Sequence, residues 1–218
     1  MAQTLVTAHN LHRHDALLEA AYRFRHRFFV DFMKWEALRK PDGRDVDQFD
    51  LPDVIHVIGH DERGVYSYSR LLPTTRPHLL NSVYPHLLDG AHEPVGPDIW
   101  EWTRCAVDPA RREGRASVDA ATAGMTLGVT EACLALGISA LHVQTHPMLL
   151  ARLLELGWNC RPLALESLVE GAPVVPFLAG VTERTLLRSR RLLGVDGPVL
   201  DLDALPGDGL TSIRPVVQ

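Results

Sequence analysis

Asp98-Ile-Trp-Glu-Trp-Thr-Arg-Cys-Ala-Val-Asp108 decides how this chain is read. Trp100, Trp102, Arg104 and Ala106 alternate with Ile99, Glu101, Thr103 and Cys105, a period of two that predicts a β-strand. Glu101 and Arg104 are three residues apart, so an ideal strand puts them on opposite faces. A bulge or bend would be needed to bring both into one site, and bulges often re-aim side chains near active sites. Asp108-Pro-Ala-Arg-Arg-Glu-Gly-Arg-Ala116 follows as an arginine-rich turn, and then a long apolar helix. Strand, polar loop and helix N-terminus together commonly receive an anion.

Upstream, His12 to about Trp35 predicts a helix, with Leu17, Leu18, Ala21, Phe24, Phe28 and Phe32 recurring at three and four residues. Residues 36–52 hold Asp42, Asp45, Asp47 and Asp50 but few large apolar side chains, which predicts a long loop. That loop lacks the glycine and terminal glutamate of an EF-hand, and a site for an organic cation suits it at least as well. Val54–His60 and Val65–Leu72 flank Asp61-Glu-Arg-Gly64 and predict a hairpin. Pro77–Leu88 predicts a short, proline-interrupted helix, and Gly90–Pro97 a loop.

Downstream, Ser117–Leu136 reads as a helix capped by Ser117 and stopped by Gly137. A buried strand at Ser139–Thr145, a helix at Pro147–Leu156, strands at Cys160–Leu168 and Val174–Val181, and a helix at Thr182–Leu193 complete the pattern. Periodicity fades after Gly194, so residues 1–193 are expected to be one domain and 194–218 an irregular tail. The order predicts a mixed α/β fold with a partly antiparallel central sheet.

Composition narrows the function. No window of the 218 residues approaches the roughly 20 apolar residues of a membrane span, and no secretory signal is visible. Cys105, Cys133 and Cys160 have neither paired nor metal-type spacing, which suits a reducing cytoplasm. A net charge of -5 argues against a general nucleic-acid binder. The eleven histidines show no helical His-x3-His with a third ligand nearby, so spacing predicts no metal site.

Several spaced motifs occur together. Arg25, Phe29 and Trp35 stand as Arg-x3-Phe-x5-Trp, Asp47 and Asp50 as Asp-x-x-Asp, Arg70 to Thr74 as Arg-Leu-Leu-Pro-Thr, and Glu101 to Arg104 as Glu-x-x-Arg. In this order and spacing the chain resembles the acyl-homoserine lactone synthases, the autoinducer synthases of bacterial quorum sensing. Asp45, Tyr84 and Ser67 stand where that family usually has glutamate, phenylalanine and glycine. The resemblance implies an N-acetyltransferase-like fold, a bent mixed sheet with helices on both faces. It also implies an activity: an acyl group passes from a thioester carrier to the amine of S-adenosyl-L-methionine, and the product closes to a lactone with release of methylthioadenosine. Both reactants are co-substrates, and no tightly bound cofactor is implied.

The substrate's chemistry suits these residues. Its two cations call for carboxylates, Asp47 and Asp50 with Asp45 beside them, and for aromatic faces, Trp35 with Phe29 and Tyr84. Its carboxylate calls for a guanidinium, Arg70 or Arg25. Glu101 is the candidate base, Arg104 its neighbour, and the backbone at Cys105 a candidate oxyanion donor. A structural Glu101–Arg104 pair is the plainer alternative. Met125, Leu149 and the strand from Leu141 to Thr145 are candidates for an acyl slot, though ordinary core packing explains them as well.

Arg111, Arg112, Gly114, Arg115 and Ala116 fit the pyrophosphate loop of N-acetyltransferases and lean toward an acyl-CoA donor. The same arginines would equally dock an acidic acyl carrier protein, or simply be solvated. Two rival functions remain at this level. One is an acyl-CoA-dependent N-acyltransferase of the same fold acting on another amine. The other is a non-catalytic S-adenosylmethionine-binding relative.

Overall fold

Glu62 and Arg63 close the first hairpin as a two-residue turn, with the Arg63 amide donating to Asp61 Oδ1 at 2.8 Å. Gly64 follows at φ +108°, a conformation that L side chains rarely adopt, so this position favours glycine. The strands on either side are β2 (Ile55–Asp61) and β3 (Gly64–Pro73). The structure, a computed structural model, describes residues 2–111 and 119–201.

The other strands are β1 (Gln3–Val6), β4 (Ile99–Val107), β5 (Ala140–Thr145), β6 (Asn159–Pro162), β7 (Ser167–Val169), β8 (Ala172–Gly180) and β9 (Leu200–Asp201). They form a nine-stranded sheet in the order β6-β8-β5-β4-β3-β2-β1-β9, with β7 beside β8. It is mixed: β4–β5 and β1–β9 are parallel, whereas β1–β2, β5–β8 and β6–β8 are antiparallel. The helices are α1 (Asp15–Arg25), α2 (Leu79–Ser82), α3 (Ala120–Leu136), α4 (Pro147–Glu155) and α5 (Glu183–Leu193). The expected mixed α/β architecture is what forms.

Two compact units share the chain. The first takes residues up to 70, 104–129 and the stretch from 198; the second takes 71–103 and 130–197. In the first unit the β1–β2 register places Gln3, Leu5 and Val57 on one sheet face, and Val6, His56 and Ile58 on the other. Helix α3 covers the former, coming so close that a Cβ at Gly128 would lie 2.8 Å from Gln3 Cγ and 3.2 Å from Val57 Cγ1. Helix α1 covers the latter, where Leu18, Ala21 and Phe24 pack with Val6, Ile58, Val65 and Tyr68. The second unit has a smaller cluster of Leu80, Leu87 and Leu88, against which Tyr84, Leu163 and Val174 pack. There Trp158 stacks on Trp102 at 6.0 Å between ring centroids.

Three expectations are refined. The predicted helix from His12 to Trp35 divides into a 3₁₀ turn at Leu11–Arg13, α1, and a π-helix at His26–Phe32. Apolar spacing of three and four does not distinguish these pitches. Helix α3 is described from Ala120, with Asp119 Oδ1 accepting from the Thr122 amide at 2.7 Å, while Ser117 lies outside the described residues. In the stretch expected to be irregular, Leu200 and Asp201 pair with Gln3 and Thr4.

Replacing Gly128 with alanine adds a methyl group where α3 touches β1 and β2. We expect about 1–3 kcal/mol of destabilisation in denaturant titrations, the usual cost of overpacking, despite alanine's better helix propensity. A neutral or stabilising outcome would show that this helix–sheet contact is loose.

Candidate active site

Three arginines and three aspartates from four chain segments form a buried ionic cluster in the first unit. Arg25, the last residue of α1, donates from Nε to Asp45 Oδ2 at 3.0 Å, and from Nη1 and Nη2 to the two oxygens of Asp50 at 2.7 and 3.0 Å. Arg70 on β3 forms a matching fork with Asp47, at 2.7 and 3.0 Å, and also reaches Asp50 at 2.9 Å. Arg104 joins Asp45 at 2.7 Å to Asp47 at 3.0 Å. Within the loop the Asp47 amide donates to Asp50 Oδ2 at 2.8 Å, and the Phe49 amide to Asp47 Oδ1 at 2.9 Å. Arg25 and Arg70 are fully buried, and of the three aspartate side chains Asp47 keeps the most exposure, 16%. The aspartates expected to meet substrate cations thus already face guanidinium groups, and the arginines expected to meet the substrate carboxylate already hold aspartates.

Backbone irregularity brings these groups together. Arg104 interrupts β4 at φ +53°, a left-handed conformation that costs a non-glycine residue about 1–3 kcal/mol. The π-helix widens the turn after Arg25, so that the Met33 amide donates to Phe28 O and the Trp35 amide to Phe29 O, both at 2.9 Å. π-helical turns occur frequently at functional sites. Here the turn stacks Trp35 on Phe29, with centroids 5.0 Å apart, and the Arg104 guanidinium lies 5.4 Å from the Phe29 ring centroid. Phe29 is buried, whereas Trp35 is 42% exposed and presents an open aromatic surface.

Glu101 lies in the second unit and is fully buried. Its Oε2 accepts the Leu79 amide at 2.8 Å and its Oε1 the Leu80 amide at 2.7 Å. Both oxygens of the carboxylate are held by the first amides of α2. Glu101 and Arg104 each have strong partners of their own: the α2 amides for the one, Asp45 and Asp47 for the other. The α2 amides leave no trace in the residue pattern, because backbone groups carry no residue code.

Three side chains that spacing did not connect also converge in the second unit. His78 Nε2 lies 2.5 Å from Glu93 Oε1, and His142 Nδ1 lies 3.5 Å from the same oxygen. Both histidines are buried. His142 also sits opposite Glu101 in the β4–β5 register.

The other expected residues are more dispersed. Tyr84 packs on the Leu80–Leu87–Leu88 cluster. Cys105 Sγ lies 3.7 Å from Met125 Sδ. Thr145 ends β5 opposite Val175. Arg111 pairs with Asp61 at 2.8 Å and lies 5.4 Å from the Tyr66 ring centroid. Arg112, Gly114, Arg115 and Ala116 lie outside the described residues.

Burial and charge set the protonation states. Burial alone would raise the Asp50 carboxyl, but Arg70 and Arg25 overcome it and hold the group well below the usual carboxylate range. Asp45 is likewise lowered, by Arg25 and Arg104 against burial. Burial pushes His56 down to about 3, in the company of Asp50, Arg25 and Arg70, and its Nδ1 lies 2.6 Å from Tyr68 Oη. Burial, with His78 nearby, pushes His142 down to about 4, opposed by the Pro94 carbonyl.

Comparison with known proteins places this arrangement in two steps. A Lactobacillus plantarum protein assigned as an N-acetyltransferase superposes with a TM-score of 0.51 over 84% of this chain and all of its own, at 17% identity. That likeness identifies the fold class as N-acetyltransferase-like. The model of the autoinducer synthase family then matches residues 8–171, and the chain belongs to that family. The isovaleryl-homoserine lactone synthase of Bradyrhizobium diazoefficiens is 35% identical over 202 residues, 90% of each chain. BjaI, a CoA-dependent acyl-homoserine lactone synthase solved with S-adenosylmethionine and isopentyl-CoA, has a TM-score of 0.88 at 32% identity, covering 97% of this chain and 98% of its own.

The protonation states make acid stability predictable. Between about pH 6.5 and pH 3 the unfolded chain protonates His56 and His142 while the folded chain resists, so stability falls as pH falls across that window. The slope is expected to reach about 1.4 kcal/mol per pH unit for each histidine. Below about pH 4, protonation of unfolded Asp45 and Asp50 steepens the loss. Denaturant titrations across pH should show this profile, with a shallower upper limb in His56→Gln; an unchanged limb would disprove the assignment. At neutral pH, Asp50→Asn should cost about 3–5 kcal/mol, because it strands buried guanidinium charge.

Proposed function

We propose that this protein makes an acyl-homoserine lactone from S-adenosyl-L-methionine and an acyl-CoA. The observation that carries the reading is its likeness to a CoA-dependent synthase across 97% of the chain. The complete set of Arg25, Phe29, Trp35, Asp47, Asp50, Arg70, Glu101 and Arg104 supports it. An N-acyltransferase for an unrelated amine would have no use for the Trp35 and aspartate-loop set. In this reading residues 1–193 act as one catalytic domain in the cytoplasm, with 194–218 as a tail. Among the described residues no helix is long and apolar enough to cross a membrane.

Acylation requires the substrate ammonium to lose a proton. Glu101, oriented by the Leu79 and Leu80 amides, takes that proton directly or through one water. The amine attacks the thioester carbonyl; the new C–N bond forms, the C–S bond breaks and CoA leaves as its thiol. A strand amide near Cys105 stabilises the developing oxyanion. The acyl chain lies along β5, near Thr145, and Tyr84 adds an aromatic edge on the substrate side.

The second step needs orientation more than acid–base chemistry. The substrate carboxylate displaces the sulfonium at the γ-carbon, forming the lactone C–O bond and releasing methylthioadenosine. Trp35 offers its exposed face to the sulfonium, an interaction of about 0.5–2 kcal/mol. Arg25, Arg70, Arg104 and the three aspartates act as positioning residues that hold the 36–52 loop, and Asp47 is the aspartate with an edge left for substrate. Arg111 and the 112–116 loop receive the CoA phosphates.

Mass spectrometry of turnover with S-adenosylmethionine and a panel of acyl-CoA and acyl-carrier-protein thioesters, isovaleryl-CoA included, tests this. Equal release of lactone and methylthioadenosine from an acyl-CoA is expected. An acylated amine without methylthioadenosine would overturn the synthase, and turnover confined to carrier-protein thioesters would overturn the donor. Glu101→Gln should lower kcat by about 10²–10⁴-fold, with S-adenosylmethionine binding retained.

A further inference from the structure

His78, Glu93 and His142 come from three separate segments, the approach to α2, the Gly90–Pro97 loop and the middle of β5, yet their ligating atoms all lie within 4.8 Å of one another. We propose that they form a reversible binding site for a divalent transition-metal ion of the zinc class, adjoining Glu101.

The first argument is donor chemistry. His78 faces an acceptor at each ring nitrogen: the Arg76 carbonyl is 2.7 Å from Nδ1, and Glu93 Oε1 is 2.5 Å from Nε2. A carbonyl cannot donate, so the tautomer that satisfies this shorter contact carries N–H at Nδ1. The Asn81 amide nitrogen also approaches Nδ1, at the longer distance of 3.0 Å. With Nδ1–H turned to that carbonyl, the Nε2 lone pair faces the Glu93 carboxylate, and a metal ion bound by both once they part would satisfy the two. The Arg76 carbonyl is then the outer partner that orients a ligating imidazole, as carbonyls commonly are in zinc sites.

The second argument is an orphan. His142 is fully buried, and neither ring nitrogen makes a well-formed hydrogen bond, the Pro94 backbone offering its ring only a weaker contact. Such a group is costly unless something satisfies it. Its Nδ1 already lies 3.5 Å from Glu93 Oε1. Ligands about 2.0–2.2 Å from a zinc ion in tetrahedral geometry stand roughly 3.3 Å apart. The His142–Glu93 pair is at that separation, and the His78–Glu93 pair has only to open by under about an ångström. Two imidazoles and one carboxylate suit zinc, cobalt, nickel or copper rather than magnesium or calcium, and three protein ligands leave a position for water.

Location gives the site a consequence. His78 immediately precedes Leu79, whose amide holds Glu101, and His142 is Glu101's register partner on β5. Drawing His78 toward a metal ion pulls on the cradle of the proposed base, so occupancy should slow turnover. This coupling rests on the role proposed for Glu101; the binding site does not.

Chelator-dialysed protein titrated with Co(II) tests the binding independently of activity. We expect visible d–d absorption of a low-coordinate Co(II) centre that saturates at one equivalent and is bleached by Zn(II), with no response to Mg(II) or Ca(II). Glu93→Gln and His142→Gln, checked for folding by circular dichroism, should each lose more than about 100-fold in affinity, beyond the 10–100-fold of an outer-partner change. His12→Gln, in the first unit and not among the three ligands, should bind as the wild type does. ¹⁵N-histidine spectra of wild type should shift for the His78 and His142 rings, a readout that stands even if a variant misfolds. Absence of the absorption bands, or unchanged affinity in a folded Glu93→Gln, would overturn the site and leave His78–Glu93 as a hydrogen-bonded pair. Saturating Zn(II) with unaltered turnover would overturn the coupling to Glu101 alone.

Discussion

Three aspartates balanced by three arginines in a largely buried cluster are the constraint on which the rest of the candidate site depends. The 36–52 loop carries few large apolar side chains, so the hydrophobic effect alone does little to hold it. Asp45, Asp47 and Asp50 tie it instead to α1, β3 and β4 through Arg25, Arg70 and Arg104. Buried ion pairs are weak contributors to net stability, yet breaking one is costly because the remaining charge has no solvent. Such a cluster therefore selects one loop geometry strongly while adding little to the total folding energy. That is a reasonable arrangement for a loop that must be placed accurately beside chemistry.

Around this cluster the backbone departs from regular geometry where accuracy is needed. The π-helix after Arg25 brings Trp35 onto Phe29. The left-handed turn at Arg104 takes one residue out of the β4 pleat and directs its guanidinium to Asp45 and Asp47. Each irregularity has a local energetic cost, and each is held by several contacts that a regular helix or strand would not make. Glu101, by contrast, stays in the pleat and is fixed by two amides. Rigid support of this kind suits the proton-accepting role proposed for Glu101.

The proposed chemistry divides along the same lines. Acyl transfer asks for one oriented carboxylate and an oxyanion donor, and lactonisation asks for a folded substrate whose carboxylate meets its own γ-carbon. Neither step needs most of the charged residues to touch the reacting atoms. Arg25 and Arg70 are better understood through what they immobilise than through what they bind, since both are wholly buried and engaged.

By itself the sequence determined the elements whose signals are local. Alternation placed β4, a glycine turn placed the β2–β3 hairpin, and Gly137 and Gly194 marked helix ends. The ordered motifs from Arg25 to Arg104 were enough to indicate the autoinducer synthases. What it could not determine were partners distant along the chain. Periodicity reports which face a residue occupies but not what faces it, so the aspartates that fill the forks of Arg25 and Arg70 have no signature in the sequence. The amides that hold Glu101 have no side-chain signature, and the pitch change after Arg25 leaves the apolar spacing almost unaltered. His78, Glu93 and His142 are 15 and 49 residues apart, and no local pattern joins them. Only strand register and the path of the Gly90–Pro97 loop bring them together, because contact in a folded chain is decided by packing between elements rather than by order within them.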